Sequence, residues 1–326
     1  MADMQTKKFP VNEIGKSPGS FTAAVMDLGT NTFHLLIARG DAENPEELFH
    51  TTVPVKLGEG GINNGIIQPP AYQRGIDTMQ QFSERIAAYN VDKISAIATS
   101  ALRSARNGRD FIEEVKAKTG IEIETIDGER EAAYIYEGVK AGKCLTGKNS
   151  LILDIGGGSV EFILGNENQV LLKQSFEIGA ARMLDKFHRT DPIPPSSINE
   201  LNAYLEQILS SFFEAALTID IHNIIGSSGA FETFAEVIEL QKGNEFELKK
   251  NRKYQFRPEE FIQITDWLIQ SSHTERESTK GIIPIRVDMI VSASLITRFV
   301  MEKLGVNNVL MSTYSLKEGV LAEALG

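Results

Sequence analysis

The order of apolar and polar residues along the chain predicts many short elements. Short apolar runs bounded by Gly, Pro, Asn or Asp predict strands, and apolar residues three or four positions apart predict helices. The predicted strands are 21–28, 32–39, 49–57, 93–99, 121–126, 149–155, 159–165, 169–178, 222–227 and 308–312. The predicted helices are 69–89, 100–118, 128–141, 180–188, 196–217, 229–240, 258–271, 286–304 and 315–325.

The two halves of this order are alike. Each begins with three linked strands, which predict an antiparallel meander, and continues with strands that alternate with helices, which predict parallel pairing. AVMDLGTNTFHLLIA (24–38) matches LILDIGGGSVEFILG (151–165), which places Asp27 and Asp154 127 residues apart. ISAIATSAL (94–102) matches HNIIGSSGA (222–230) at an offset of 128. We therefore predict an α/β protein with two duplicated domains and a cleft between them.

The polar, glycine-containing segment 139–150 is the expected hinge. It gives domain I at 21–142 and domain II at 143–326, with the C-terminal helix a candidate to pack back on domain I. Residues 1–20 have no apolar run of the signal-peptide type and are expected to be a polar N-terminal tail. The charged stretch 242–256 is expected to be an exposed insertion in domain II.

Composition narrows the class of protein. Apolar residues make up 42% of the 326 residues, and no run reaches the ~18 apolar residues that a membrane-spanning helix needs. The net charge of −11 disfavours non-specific binding to nucleic acid, although a local basic cleft for a polyanion is compatible with it. The single cysteine, Cys144, excludes an intrachain disulfide, as in a reducing compartment. We expect a cytoplasmic protein that binds neither nucleic acid nor membrane.

The two equivalent strand ends carry the main candidate chemistry. Loop one, DLGTNT (27–32), and loop two, DIGGGS (154–159), have small residues that let backbone N–H groups approach an anion closely. Asp27 and Asp154 would repel a phosphate unless a hard cation such as Mg²⁺ lay between the carboxylate and the phosphate. The alternative is a pair of ordinary hairpin turns. The candidate phosphate-binding residues in these loops are Gly29, Thr30, Asn31, Thr32, Gly156, Gly157, Gly158 and Ser159.

Two other turns resemble anion sites. In GSSGA (226–230) a strand runs into a helix N-terminus, a position that favours phosphate, or that Ser227 or Ser228 simply caps. In TSALRSARNG (99–108), Ser100 is a candidate cap for a helix that carries Arg103 and Arg106, and arginine binds phosphate bidentately. Each arginine could equally be a surface residue. The candidate residues of the first turn are Gly226, Ser227, Ser228 and Gly229.

Three glutamates complete the candidates. Glu129 and Glu131 lie in the first turn of a predicted helix, where the helix dipole alone favours acids. A general base that activates water beside a phosphate is the functional alternative. Glu161 lies among apolar residues in SVEFIL, where an idle buried carboxylate is costly, so we expect it to bind something. The histidines show no metal-ligand spacing.

Together these segments resemble the Ppx/GppA phosphatases, a family of exopolyphosphatases and guanosine pentaphosphate phosphohydrolases. The resemblance covers roughly 21–326, and it implies two duplicated actin-like (ribonuclease H-like) domains of the short, two-domain type. Its strongest motifs are MDLGTNTFHLLIA, KLGEGG, ATSALRSARNG, EIETIDGEREAAYIYEGV and LILDIGGGSVEFILG, with weaker support from GIIPIRVDMI and STYSLKEGVLAEAL.

The resemblance implies a role for each matching position. Glu131, in GEREA, matches the family's catalytic glutamate, and Arg103 matches an arginine that binds substrate phosphate. Asp154 and Glu161 match acids near a metal, with Asp27 as their counterpart in loop one. The implied cofactor is Mg²⁺ or Mn²⁺. Members often form dimers, which makes a homodimer a candidate assembly.

Three departures from the family pattern concern the outer substrate contacts. Asp127 stands where the family often has Ser, and Lys317 stands where the last helix often begins Leu-Arg-Glu-Gly. VSAS (291–294) replaces a more glycine-rich stretch.

The implied reaction is hydrolysis of the terminal phosphoanhydride of inorganic polyphosphate, which releases orthophosphate. Guanosine pentaphosphate is the alternative substrate. Two other functions stay open: a kinase of the superfamily, with GSSGA as its adenosine contact, and a sensor that binds guanosine tetra- or pentaphosphate without hydrolysis.

Overall fold

The computed structural model describes residues 21–326, so the predicted tail at 1–20 lies outside the described residues. The first half folds into one mixed sheet with helices. Its strands are β1 (Phe21–Leu28), β2 (Phe33–Gly40), β3 (Glu46–Val53), β4 (Lys93–Ala98) and β5 (Ile123–Thr125). Its helices are α1 (Pro69–Ala87), α2 (Ser100–Ser104), α3 (Gly108–Thr119) and α4 (Gly128–Ala141).

The second half repeats the arrangement with additions. Its strands are β6 (Ser150–Ile155), β7 (Val160–Gly165), β8 (Val170–Phe176), β9 (Asn223–Ser227), β10 (Lys253–Gln255) and β11 (Val309–Ser312). Its helices are α5 (Ala180–Phe187), α6 (Pro195–Ala216), α7 (Gly229–Gln241), α8 (Pro258–Gln270), α9 (His273–Ser278), α10 (Met289–Leu304) and α11 (Leu316–Leu325). None of the helices within 21–326 combines the length and apolar character needed to cross a bilayer.

The two sheets share one topology. The first has the order β3-β2-β1-β4-β5, and the second repeats it as β8-β7-β6-β9-β11, with β10 added beyond β11. In each sheet the first three strands are antiparallel, and the next two join in parallel. This is the strand order of an actin-like domain, so the predicted fold class of two duplicated α/β domains is confirmed.

The sheet register shows which residues of the two halves are structurally equivalent. Asp27 lies beside His34, and Asp154 lies beside Glu161, so the first sequence match holds in the structure. The second match is displaced, because Asp27 pairs with Ile97 whereas Asp154 pairs with Ser227. In the structure, the equivalent residues of this second pair of segments, Ile97 and Ser227, are thus two positions further apart than the predicted offset of 128. The sequence match followed similar small residues, whereas strand pairing follows the backbone.

The last helix of each half packs on the sheet of the other half. Helix α4 contacts β7 and β8, and α11 contacts β1 and β2, with α4 and α11 packed against each other. The two helices approach to backbone contact, since a Cβ on Gly138 would lie 1.9 Å from the carbonyl oxygen of Ser315, and one on Gly319 would lie 1.9 Å from that of Tyr134. A shared apolar cluster, with Val25, Ile152 and Val320 among its members, joins the halves. This packing of α4 against α11 fixes the two halves on either side of the cleft.

Two element predictions in the first half were wrong in detail. The predicted helix 100–118 is two helices, because Ala105 adopts an extended conformation and ends α2. A Cβ on Gly108, the first residue of α3, would lie 2.3 Å from the carbonyl oxygen of Leu102, so the chain folds back tightly there. The predicted strand 49–57 ends at Val53, since Pro54 lacks the N–H that a ladder needs.

Two predictions in the second half also need correction. The stretch 242–256 is not wholly an exposed insertion: β10 pairs with β11, and Phe256 is buried in the core. The predicted helix 286–304 begins at Met289, and the short helix α9 precedes it without having been predicted. Both segments are rich in charged residues: β10 depends on pairing with the distant β11, whereas α9 begins at a local capping box of Ser272 and Glu275 that the prediction missed.

Candidate active site

Loop one and loop two face each other across the cleft and touch. The bend at Thr30 and Asn31 lies against the bend at Gly157 and Gly158. A Cβ on Gly157 would lie 2.3 Å from Nδ2 of Asn31, and one on Gly158 would lie 2.8 Å from Oγ1 of Thr30. Only glycine lets the backbone of loop two approach these side chains of loop one so closely.

The backbone N–H groups at these two bends are available to an anion. Among residues 21–326, none accepts a hydrogen bond from the N–H of Thr30, Asn31, Gly157 or Gly158. The carbonyl groups are engaged, those of loop one by the segment 56–58 and those of loop two by N–H groups at the start of α5, at 2.7–3.2 Å. Fixed carbonyls orient the peptide planes, so the free donors are preorganised for phosphate oxygens.

A buried pair of acids flanks loop two, with Asp154 at its first position and Glu161 on the following strand, β7. Asp154 accepts hydrogen bonds from the hydroxyls of Ser227 and Ser315, the latter at 2.5 Å. Glu161, its neighbour in the sheet, accepts a hydrogen bond from Ser175 Oγ at 2.7 Å. Burial raises the pKa of both carboxyl groups, and nearby carboxylates raise the pKa of Glu161 further. The pair is an anionic centre that favours a cation.

Loop one has a different environment. Asp27 is half-buried, and its carboxylate accepts no hydrogen bond from another described residue. Burial, opposed by Lys317 and reinforced by Asp154, raises its pKa to about 7. The position equivalent to Glu161 is His34, whose pKa burial lowers well below the usual value. Loop one therefore contributes one carboxylate to the site, and loop two contributes a pair.

The structure separates the two glutamates of the α4 first turn. Glu131 is buried and forms an ion pair with Arg103 of α2, with 2.9 Å between Oε2 and Nη1. Glu129 is exposed and its carboxylate lies 3.5 Å from Lys173 Nζ. Burial raises the pKa of Glu131 to about 8, although Arg103 opposes the rise. A buried carboxyl group with a strongly raised pKa is a candidate for proton transfer, and its ionised form is a stronger base than an ordinary glutamate.

The turn GSSGA does not cap its helix through either serine. Ser227 Oγ donates to Asp154, and Ser228 Oγ donates to the carbonyl of Ile155 at 3.0 Å, so the capping interpretation was wrong. Ser228 has a φ of +84°, which is a strained conformation for a residue with a side chain. Gly226 and Gly229 are closely packed, the first against Phe231 and the second against the guanidinium of Arg286. The turn lies next to loop two and supports Asp154.

The sequence placed Ser100 as a helix cap, and this was wrong. Its hydroxyl donates to Glu177 at 2.7 Å and caps nothing. Arg106, the second candidate arginine, donates to the carbonyl of Asn64 and takes no part in the cleft contacts of Arg103. Arg103 instead joins Glu131 on one side to Glu177 on the other.

Four residues of the site had no role in the sequence-based predictions: Glu177, Arg182, Arg286 and Lys317. Glu177 and Arg182 follow β8 and contact domain I. Arg286 donates to Glu232 and Thr233 at 2.9 and 2.8 Å. Lys317, noted only as a departure from a motif, lies 3.1 Å from Glu318. No local pattern marks Glu177, Arg182 or Arg286, because each of them contacts residues on a distant element.

The acids fit a hard divalent cation only in part. Within the described part of the chain, no three His, Cys, Asp or Glu side chains are grouped as ligands of one ion. Carboxylate oxygens are nevertheless the donors that Mg²⁺ prefers, and Mg²⁺ commonly uses one or two carboxylates together with water and substrate phosphates. Asp154 and Glu161, with Asp27 opposite, match that smaller donor set.

Comparison with known proteins agrees with this geometry. The model of the Ppx/GppA phosphatase family matches residues 36–326. The crystal structure of an exopolyphosphatase from Cytophaga hutchinsonii is similar, with a TM-score of 0.90 and 38% sequence identity over 93% of this chain and 97% of that one.

Two curated relatives differ in how much of their length the chain covers. A putative exopolyphosphatase of Haemophilus influenzae is 26% identical over 91% of this chain and 90% of its own length. A guanosine-5'-triphosphate,3'-diphosphate pyrophosphatase of Aeromonas hydrophila is 26% identical over 93% of this chain. The chain spans 59% of that relative's length.

Proposed function

The chain belongs to the Ppx/GppA phosphatase family, and on this premise we propose that it hydrolyses the terminal phosphoanhydride of inorganic polyphosphate and releases orthophosphate. The observation that carries the proposal is the position of Glu131. Its buried carboxyl group is bonded to Arg103 at the cleft that the two loops line. The carboxyl group of Glu131, the guanidinium of Arg103 and the free N–H groups of the two loops thus lie at one cleft.

Each group has a distinct part in the reaction. The N–H groups of Thr30, Asn31, Gly157 and Gly158 would hold the terminal phosphate from both domains. Arg103 would stabilise the charge on its oxygens, since phosphoryl transfer depends mainly on positioning and electrostatics. Water attacks the terminal phosphorus, the bond to the bridging oxygen breaks, and the shortened chain leaves.

Glu131 would accept the proton of the attacking water. Because its pKa is about 8, the group holds its proton more tightly than an ordinary glutamate. Only the ionised carboxylate, which becomes the major form above pH 8, can accept the proton of water, and it is then a stronger base than an ordinary glutamate. We also propose that Mg²⁺ or Mn²⁺ binds near Asp154 and Glu161, with Asp27 opposite, where it would neutralise phosphate oxygens.

The names of the relatives favour polyphosphate over guanosine pentaphosphate. The structural relative at 38% identity and the curated relative matched over 90% of its length are both called exopolyphosphatases. The pyrophosphatase is matched over 59% of its length. Guanosine pentaphosphate is the alternative substrate, since it offers the same kind of terminal bond. A homodimer remains a prediction.

The test is phosphate release from short polyphosphate, long polyphosphate and guanosine pentaphosphate, each with Mg²⁺, with Mn²⁺ and with a chelator. We expect release from polyphosphate that requires the metal ion. Faster release from guanosine pentaphosphate would make the alternative substrate correct. Labelling of an acceptor by ATP would indicate a kinase, and tight binding without release from any substrate would indicate a sensor.

A further inference from the structure

The side chain of Glu177 occupies an anion-binding arrangement that spans the cleft. Its carboxylate accepts a hydrogen bond from Ser100 Oγ at 2.7 Å, from Arg103 Nη2 at 2.9 Å and from Arg182 Nη2 at 2.5 Å. Ser100 and Arg103 belong to α2 in domain I, and Arg182 belongs to α5 in domain II. Two guanidinium groups and a hydroxyl thus converge on one carboxylate.

The donors are held in place independently of Glu177. Arg103 Nη1 donates to Glu131 and to the carbonyl of Ile126 at 3.1 Å. Arg182 Nε donates to the carbonyl of Gly158, and its Nη1 donates to that of Ile62. In each arginine, Nη2 donates to Glu177. The arrangement is therefore preorganised, and the carboxylate is its exchangeable part.

Glu177 is well placed to be displaced. Its side chain is 46% exposed, whereas those of Arg103 and Arg182 are 21% and 13% exposed. Exposed ion pairs contribute little to stability because water competes for both charges. A phosphate group carries more charge and more acceptor oxygens than a carboxylate, and arginine pairs with it bidentately.

We propose that Ser100, Arg103 and Arg182 form a subsite for a phosphate group of the substrate, and that Glu177 fills this subsite until the substrate displaces it. The inference rests on the proposed function, because it adds a second phosphate position beside the one held by the loops. Arg103 connects the site of hydrolysis with the subsite, since its Nη1 donates to Glu131 and its Nη2 donates to Glu177 in the subsite. Glu177 thereby lowers the affinity for phosphate chains.

The first test measures binding without turnover. Inorganic tripolyphosphate is titrated calorimetrically into the full chain, without divalent metal, for wild type, Glu177→Gln and Asp185→Asn. We expect Glu177→Gln to bind about three- to fivefold more tightly, the range that an exposed ion pair allows. Asp185→Asn removes a charge on the same helix as Arg182 and leaves the donors to Glu177 in place, since Asp185 accepts a hydrogen bond from Asn63, which contacts the carbonyl and Nη1 of Arg182 but not its Nη2. It should bind as wild type does.

Equal or weaker binding by Glu177→Gln, at an unchanged melting temperature, would overturn the proposal. An equal gain in Asp185→Asn would overturn it as well, since the effect would be general electrostatics. Adding Ser100→Ala to Glu177→Gln should cancel part of the gain, and a full gain without the hydroxyl would remove Ser100 from the subsite.

The kinetic test separates this inference from the proposed function. Glu177→Gln should lower KM for tripolyphosphate by a similar factor and leave kcat near the wild-type value. A fall in kcat without a change in KM would mean that Glu177 positions Arg103 and is not a competitor. If no polyphosphate is hydrolysed at all, the proposed function fails, and the calorimetric comparison still decides whether the subsite exists.

Discussion

Loop one and loop two are equivalent in sequence and fold, yet their aspartates have different surroundings. Asp154 is fixed by two serine hydroxyls, and its strand neighbour is Glu161. The carboxylate of Asp27 accepts no hydrogen bond from a described residue, and the strand neighbour of Asp27 is His34. The two equivalent loops of the duplicated fold thus differ: hydrogen bonds fix the carboxylate of Asp154, whereas none from a described residue fixes that of Asp27.

On the proposed function, this difference would separate two tasks. The fixed acid pair would hold the cation in a defined position, and the carboxylate of Asp27 would adjust to the substrate. The N–H groups of both loops remain equivalent. The comparison therefore predicts that carboxylate substitutions affect the two loops unequally.

The largest effect should come from the residue that belongs to neither loop. Glu131→Gln should lower kcat by about 10³-fold while KM changes little, because it removes the proton acceptor and keeps the shape. The exposed neighbour Glu129→Gln is the matched control and should retain full activity. Steady-state phosphate release measures both. Normal turnover by Glu131→Gln would place the base in one of the loops.

The next effect distinguishes the loops themselves. Asp154→Asn should lower kcat/KM by roughly 10²-fold or more and raise the Mg²⁺ concentration needed for half-maximal activity. Asp27→Asn should lose less, because Asp27 has no fixed partner among the described residues and Lys317 already offsets its charge. Metal titrations of both variants test this. The asymmetry would be refuted if Asp27→Asn had the greater need for metal.

A stability measurement extends the comparison to the whole molecule. The pKa of Glu131 is raised to about 8, so the folded state binds its proton more tightly than the unfolded state does, and stability falls as the pH rises from about 4.5 towards 8. Glu131→Gln should therefore be more stable than wild type by up to about 4 kcal/mol at pH 8, without divalent metal, and the gain should vanish near pH 4.

The contribution of Glu239, on α7, to stability should change with pH in the opposite direction to that of Glu131. Hydrogen bonding from Tyr254, the largest of several contributions, lowers its pKa to about 2, so it stabilises the fold above pH 4.5 and this stabilisation is lost as the pH falls towards 2. Glu239→Gln should be less stable than wild type at pH 8. Urea unfolding at several pH values measures both variants. A loss of stability in Glu131→Gln at pH 8 would contradict the assignment.

The smallest effect concerns the contact between the loops. Gly158→Ala should lower kcat/KM by about tenfold, because its methyl group would meet Ser100 Oγ and Thr30 Oγ1 and move the loops apart. Gly156→Ala is the control, since its Cβ would meet only the carbonyl of Ser159 in its own loop, at 3.0 Å. Equal losses in the two variants would show that contact between the loops is unimportant.

Much of the fold was predictable because its signals are local. The period of apolar residues indicated most strands and helices, and the repeated strand–loop–strand pattern around Asp27 and Asp154 indicated the duplication. Prediction failed where a distant partner decides the outcome. The break at Ala105 depends on how α3 folds back on α2, and β10 depends on pairing with β11.

The sequence by itself determined the two Asp–Gly loops, the acid after the second, and the glutamate at the start of α4, because each depends on residue type and spacing within a few positions. Only the tertiary structure decided which groups meet. Ser315 reaches Asp154 from 161 residues away, and Glu177 reaches Arg103 from 74. Such contacts arise when α4 and α11 cross and bring the domains together, and no local pattern of residues encodes where that crossing places a side chain.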